Sequence, residues 1–247
     1  MSVRGALFVS ENQISFFFAE TDNTAAMHVI KRDGSKEVVR FDKITTRIQK
    51  LCADLNVDAT LVAQKTIQDV YAGVRTSDLD KFAAETAMHM APQHPDYGRL
   101  AGRIAVDDLH KTTCARYPTF SKFLQACADD ELVNVEAARD VVTHARQLDN
   151  AIDLHRDMQY DFFGYKTLER SYLIVLKDGT RELPQYMLMR CAVGVYGADI
   201  DNVLSAYDDM SRMLYTHATP TLFNACTLAP QLSSCFLLTM SDDSIQG

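Results

Sequence analysis

Two groups of residues in this chain have types and spacings that could do chemistry. The first is a lone thiol, Cys235, in the stretch APQLSSCFLLTM, held between serines and an apolar run. A thiol becomes a redox reagent when it can donate hydrogen and then pair with a second sulfur in a bond that outside thiols reduce again. A cysteine in an apolar run is equally at home as a small core hydrophobe, and residue type alone does not decide between the two. The second group is polar: Lys31 and Arg32 at a turn, Lys43 at the head of a helix, and Thr76 and Asp80 at the start of another. Lysine, arginine and helix N-termini bind phosphate, while a hydroxyl and a carboxylate can hydrogen-bond ribose or base. That is the inventory of a nucleotide pocket, but there is no Gly-rich phosphate loop, and any one of these cations taken singly reads as a solvated surface group.

The elements that must position these groups follow from pattern. In MHVIKRDGSKEVVRFD, short runs with Val and Ile flank Asp33-Gly34, and Asp-Gly supplies the positive φ of a tight hairpin turn. Asp42 is placed to cap a helix from Lys43, in which Ile44, Ile48 and Leu51 make one apolar stripe. A second helix is expected over 60–72 with Gly73 ending it, a third behind Thr76 or Ser77 as N-cap, and a fourth in DYGRLAGRIAVDDLHKTT. From 117 the pattern stays helical. It then gives a second hairpin signal around Lys177-Asp-Gly-Thr, a helix over 185–195 behind Pro184, and an amphipathic helix in DIDNVLSAYDDMSRMLYTH. LSSCFLLTM reads as an apolar strand, and a lone buried strand needs neighbours. The expected fold class is α+β, mainly helical.

Composition narrows the function classes. At 247 residues and 47% hydrophobic content the chain can bury at least one true core. Its formal net charge of -8 disfavours general binding to nucleic acid or to an anionic membrane. One stretch reverses the sign: between Met27 and Lys50, seven basic side chains meet three acidic ones, a local +4 suited to a few phosphates. No apolar run approaches the ~20 residues of a membrane span, and MSVRGALFVSENQISFFFAE makes a poor signal peptide. The six cysteines (52, 114, 127, 191, 226 and 235) lack C-x-x-C spacing, which argues against a zinc site and a disulfide framework and fits a reducing, cytoplasmic compartment. No metal site is expected, since His110 and Cys114 supply two of the four ligands of a closed zinc site.

Particular stretches resemble a known family. MHVIKRDGSKEVVRFDKITTRIQKLC, SDLDKFAAETA, HPDYGRLAGRIAV and LHK resemble the ATP-cone at the amino end of class I ribonucleotide reductase large subunits of the eukaryotic type. FFGYKTLERSYL, PQYMLMR, THATPTLFNACTLAPQLSSCFLL and DDSIQG continue the resemblance to residue 247. It implies an allosteric activity site for ATP or dATP, with Mg2+, on Lys31, Arg32, the run Glu37, Val38, Val39, Arg40, Phe41, Asp42 and Lys43, then Thr76 and Asp80, with His110 and Lys111 near the phosphates. It implies that Cys235 is one of two reducing thiols and that Thr219 and Ser234 bind the ribonucleoside diphosphate substrate. Asp243, Ser244 and Ile245 would begin an allosteric specificity site for dNTPs at a homodimer interface. The implied activity is reduction of ribonucleoside diphosphates to deoxyribonucleoside diphosphates, with a radical from a di-iron small subunit and electrons from thioredoxin or glutaredoxin. Thr219 stands where relatives commonly have Ser, and Cys226 where they commonly have Gly.

The expected domains are an N-terminal extension (1–26), the ATP-cone as a β-hairpin lid on a four-helix bundle (27–116), a helical N-terminal reductase domain (117–230), and the first strand of a truncated ten-stranded α/β barrel (231–247). The resemblance reaches only the beginning of a family large subunit. The isolated chain is therefore expected to lack the second reducing cysteine and the radical-bearing cysteine, and with them turnover. A stand-alone nucleotide-binding regulatory protein and a gene remnant are the other readings.

Overall fold

The computed structural model describes residues 27–68, 70–239 and 242–245, so the extension expected over 1–26 lies outside the described residues. Strands β1 (His28–Ile30) and β2 (Lys36–Val38) pair antiparallel, with Val29 opposite Glu37. Their connection is wider than a two-residue turn. The Lys31 N–H donates to Ser35 O at 2.8 Å, the Asp33 carboxylate accepts from the Ser35 N–H and hydroxyl, and Gly34 takes the positive φ of +83°. Period-two alternation turns Val29 inward, where it is buried against Val74 and Leu79. The hairpin is fastened at its base by Ile30 N–H donating to Val74 O at 2.9 Å and Gly73 N–H donating to His28 O at 2.7 Å.

Four helices lie under the hairpin: α1 (Phe41–Leu51), α2 (Ala59–Gln68), α3 (Thr76–His89) and α4 (Asp96–Arg116). Two caps differ from the sequence reading. Helix α1 begins two residues earlier than expected, with Arg40 at the N-cap and Asp42 inside the first turn, where its charge still meets the positive helix end. Helix α3 starts at Thr76 behind Arg75, with no side-chain cap. In α2, by contrast, the Asp58 carboxylate accepts from the Thr60 and Leu61 N–H groups.

The second unit is all helical: α5 (Phe120–Asp129), α6 (Val135–Thr143), α7 (Ala145–Ala151), a 3-10 turn (Leu154–Gln159), α8 (Phe162–Ser171), α9 (Pro184–Tyr196), α10 (Ile200–Ser211) and α11 (Thr219–Asn224). Helix α9 is its axis, buried without a break from Pro184 to Val193, as expected of a helix enclosed on all sides. The hairpin expected around Lys177 reduces to one bridge, Val175 with Arg181, closed by a turn in which Gly179 takes φ +83°. Within this core Arg190, fully buried, forms a two-pronged ion pair with Glu182 at 2.8 and 3.0 Å. Its remaining N–H groups donate to Ala225 O and Leu222 O, so α9 holds the end of α11.

Helix α4 belongs to both units. Leu100, Ala101 and Ile104 pack in the first core with Ile48, Val62 and Ala87, whereas Val106 and Leu109 pack in the second with Phe120 and Tyr186. At Gly102 the backbone of the second unit comes so close that an added Cβ would meet Tyr160 O at 2.4 Å and Asp161 C at 2.6 Å.

The barrel strand expected from 231 is not observed. Residues 231–239 carry no strand pairing among the described residues, and Phe236, Leu237 and Leu238 are exposed. The apolar run has β-forming composition, but it has no ladder partner here.

Candidate functional site

A cavity of about 690 Å³ opens between the hairpin and helices α1, α3 and α4. The predicted stripe of α1 gives it an apolar floor, with Ile44 and Ile48 joined by Val29, Leu79, Ala83 and Ile104. Over that floor stand the cations Lys31, Arg32, Lys43, Arg47 and Lys111, with Glu37, Thr76 and Asp80 among them. An apolar floor suits a flat heterocyclic base, and the cations suit phosphate.

The polar groups form an alternating chain of charge. Glu37 accepts from Lys31, at 2.6 Å, and from Lys43 on its other oxygen, and these two bonds hold its carboxyl down at about 2. Asp80, buried with a side chain 6% exposed, lies between Arg32, at 2.7 Å, and Arg47. Asp108 is the second partner of Arg32. Asp107 takes the Arg47 Nε at 3.1 Å and the Lys111 amine at 2.7 Å. Burial pushes the Asp107 carboxyl up, yet Lys111 and Arg47 outweigh it and hold the group below its ordinary value. Burial, together with the Arg47 charge, lowers Lys111. Every cation lining the pocket therefore already has an acidic partner, Arg40 included, and an arriving anion exchanges one carboxylate for another acceptor rather than filling an open charge.

The pocket collects ten of the residues singled out in sequence: Lys31, Arg32, Glu37, Val38, Val39, Arg40, Lys43, Thr76, Asp80 and Lys111. Three are elsewhere. Phe41 is exposed outside the lining, and Asp42 pairs with Arg40 at 3.1 Å and lines the adjoining cleft. His110 turns to the opposite side of α4, where its Nε2 lies 2.7 Å from Asp157 Oδ2 in the second unit. Consecutive helix residues point about 100° apart, so Lys111 and His110 cannot share one face. Sequence reasoning missed Arg47, although it follows Lys43 at i+4, the spacing that places two side chains on one helix face. It also missed Asp107, four residues before Lys111.

The remaining predicted residues lie on the other unit. Thr219 opens α11, its hydroxyl 3.1 Å from the Tyr172 hydroxyl, and the Tyr172 ring stacks on Phe223 at 4.7 Å. The Thr221 hydroxyl donates to Leu232 O and the Asn224 amide to Gln231 O, so α11 also holds the segment leading to Cys235. Cys235 is exposed, 3.8 Å from the Ser234 hydroxyl. Asp243, Ser244 and Ile245 are exposed. 

Residues 27–112 match the ATP cone domain, and residues 158–229 match the ribonucleotide reductase all-alpha domain. Over 90% of its length the chain is 48% identical to the ribonucleoside-diphosphate reductase large subunit of Dictyostelium discoideum, and 49% identical to those of Arabidopsis thaliana and Danio rerio. It is a homologue of the amino-terminal portion of ribonucleotide reductase large subunits. The chain spans 27% to 29% of the length of these three relatives. The cavity under the hairpin falls within the ATP cone match, and Thr219 falls within the all-alpha match. The cone match ends inside α4.

Proposed function

We propose that this chain is the adenine-nucleotide-sensing portion of a ribonucleoside-diphosphate reductase large subunit, and that the cavity under the hairpin is its activity-control site. The observation that carries the reading is Asp80, a buried carboxylate clamped between Arg32 and Arg47 at the edge of an apolar-floored cavity. With Thr76 one turn earlier, it offers a carboxylate and a hydroxyl to ribose or base beside cations that suit phosphate. On binding, the phosphates take Lys31 and Lys43 from Glu37, and Lys111 from Asp107. ATP and dATP differ at one hydroxyl, so they can control activity only by stabilising two states of the protein differently. Helix α4 is the physical link available for this, with Lys111 in the pocket and His110 on Asp157.

Mg2+ would accompany the phosphates. No group of three or more His, Cys, Asp or Glu able to hold a metal ion occurs among the described residues, so phosphate oxygens and water would supply most of its ligands.

In the same reading Cys235 is one of two thiols that reduce a ribonucleoside diphosphate. Two S–H bonds supply the hydrogens and two electrons, the sugar C2′–O bond breaks, the oxygen leaves as water, and the sulfurs join as a disulfide. Thioredoxin or glutaredoxin thiols return the electrons. Thr219 and Ser234 hold the substrate, and Asp243, Ser244 and Ile245 begin a dNTP specificity site at a homodimer interface. A di-iron small subunit supplies the radical, and the compartment is the reducing cytoplasm.

The test is equilibrium binding of ATP and dATP to this chain and to Asp80→Asn. We expect both nucleotides to bind, and the substitution to change their affinity ratio by about tenfold, the worth of one charge-assisted hydrogen bond. A wild-type chain that binds neither, or a ratio that Asp80→Asn leaves in place, overturns the reading.

A further inference from the structure

A second cavity, about 450 Å³, opens where the cone meets the helical unit, and it shares no lining residue with the nucleotide pocket. Four arginines line it: Arg99 and Arg103 from α4, Arg156 from the 3-10 turn, and Arg212 directly after α10; His155 and Asp54 also line it. The arrangement brings together side chains from four separate stretches of sequence.

Each guanidinium is steadied by a carboxylate. Asp54 receives both terminal nitrogens of Arg103, with Nη2 at 2.8 Å. Asp208 accepts from Arg156 Nη1 at 2.8 Å and from Arg212 Nε at 3.1 Å. Asp96 lies 3.5 Å from Arg99 Nη1. These contacts set the positions of the forks without exhausting them. Arg156 Nη2, Arg99 Nη2 and both terminal nitrogens of Arg212 have no hydrogen-bond partner among the described residues. The side chains of Arg99 and Arg212 are 54% and 58% exposed, so an incoming ligand can reach them.

Several spare N–H donors on planar forks around one cleft match the oxygens of a phosphate group, which accept multiple charge-assisted bonds at once. With Asp153, 3.4 Å from Arg156 Nε, four carboxylates cancel the formal charge of the four arginines. Recognition there rests on directed donors already held in place, not on a broad positive potential. We propose that this cleft is a second anion site, taking a phosphate-bearing ligand and, when filled, bracing α4 of the cone against the 3-10 turn and α10. The proposal is independent of what occupies the cavity under the hairpin.

The experiment uses calorimetric titration of the 247-residue chain. Lys43→Gln with Lys111→Gln first weakens phosphate binding under the hairpin. In that background we expect pyrophosphate still to bind, and the further substitutions Arg99→Gln and Arg212→Gln, both on exposed side chains, to weaken it about tenfold or more. Hydrogen exchange should slow at 99–103 and 154–159 when pyrophosphate is added, and thermal melts establish that each variant is folded. Parallel titrations identify the source of the phosphate. Inorganic phosphate or pyrophosphate binding without ATP supports a free anion, and ATP binding at least as tightly supports a nucleotide tail. No binding in the lysine-substituted background, or binding that survives loss of both arginines, overturns the proposal.

Discussion

Glu37 holds the two lysines, Lys31 and Lys43, that a phosphate in the pocket would also need. Its carboxyl, held down at about 2, stays ionised at any ordinary pH, so this competition is always present. Its ion pairs are present above the unfolded value of 4.5 and are lost only as pH falls through about 2. Removing the competitor should help the ligand: Glu37→Gln is expected to raise ATP affinity by about two- to fivefold, the scale of an exposed ion pair, and a binding titration that shows a loss instead would refute the exchange of partners. Cys226 presents a backbone problem. It is buried at φ +63°, its thiol donating to Arg190 O at 3.2 Å. A non-glycine residue in that region costs about 1 kcal/mol, so Cys226→Gly should be more stable than Cys226→Ala by roughly that amount, although glycine removes more atoms. Urea unfolding of the two variants settles the order. Nothing in the residue type foretold the positive φ; only the resemblance, with Gly common at this position, pointed to it.

At the scale of elements, the decisive contact is the crossing of α4 by the chain at 160–162. Gly102 is required there because the atoms an added Cβ would strike are backbone and cannot swing aside. We expect Gly102→Ala to destabilise the protein by about 3 kcal/mol or more, measured by denaturant unfolding; a neutral result would mean that α4 and α8 slide apart freely. The elements were legible in sequence wherever one period ruled. The α1 stripe Ile44, Ile48 and Leu51 is visible as spacing, and Asp33-Gly34 as a turn. What was not legible depends on partners far along the chain. His110 and Lys111 are adjacent in sequence and were read together, but the helix points them to different units. The run at 231–239 has the composition of a strand, and composition does not supply a ladder. Arg47 was readable from its i+4 spacing to Lys43, while its pairing with Asp80 was not.

Across the whole molecule the two units share a buried polar relay. Asp157, fully buried, lies against His110 Nε2, accepts from the Gln185 amide at 2.9 Å, and Gln185 in turn accepts from the Tyr207 hydroxyl at 2.8 Å. Burial raises the Asp157 carboxyl, and the hydrogen bonds from His110 and Gln185 only partly oppose it. An acid raised in the folded state adds stability below its unfolded value, near 3.8, and loses that contribution as pH climbs through the folded value. Wild type should therefore lose stability relative to Asp157→Asn between acid and neutral pH, and melts of the two proteins that run parallel across that range would disprove it. The division of α4 between two cores has a practical consequence. The ATP cone match stops at 112, a border drawn by ancestry, whereas the folding border runs through the middle of a helix. A cone cut out at that border would carry Val106 and Leu109 as a naked greasy seam, so the excised piece should self-associate through a surface that the longer chain keeps covered.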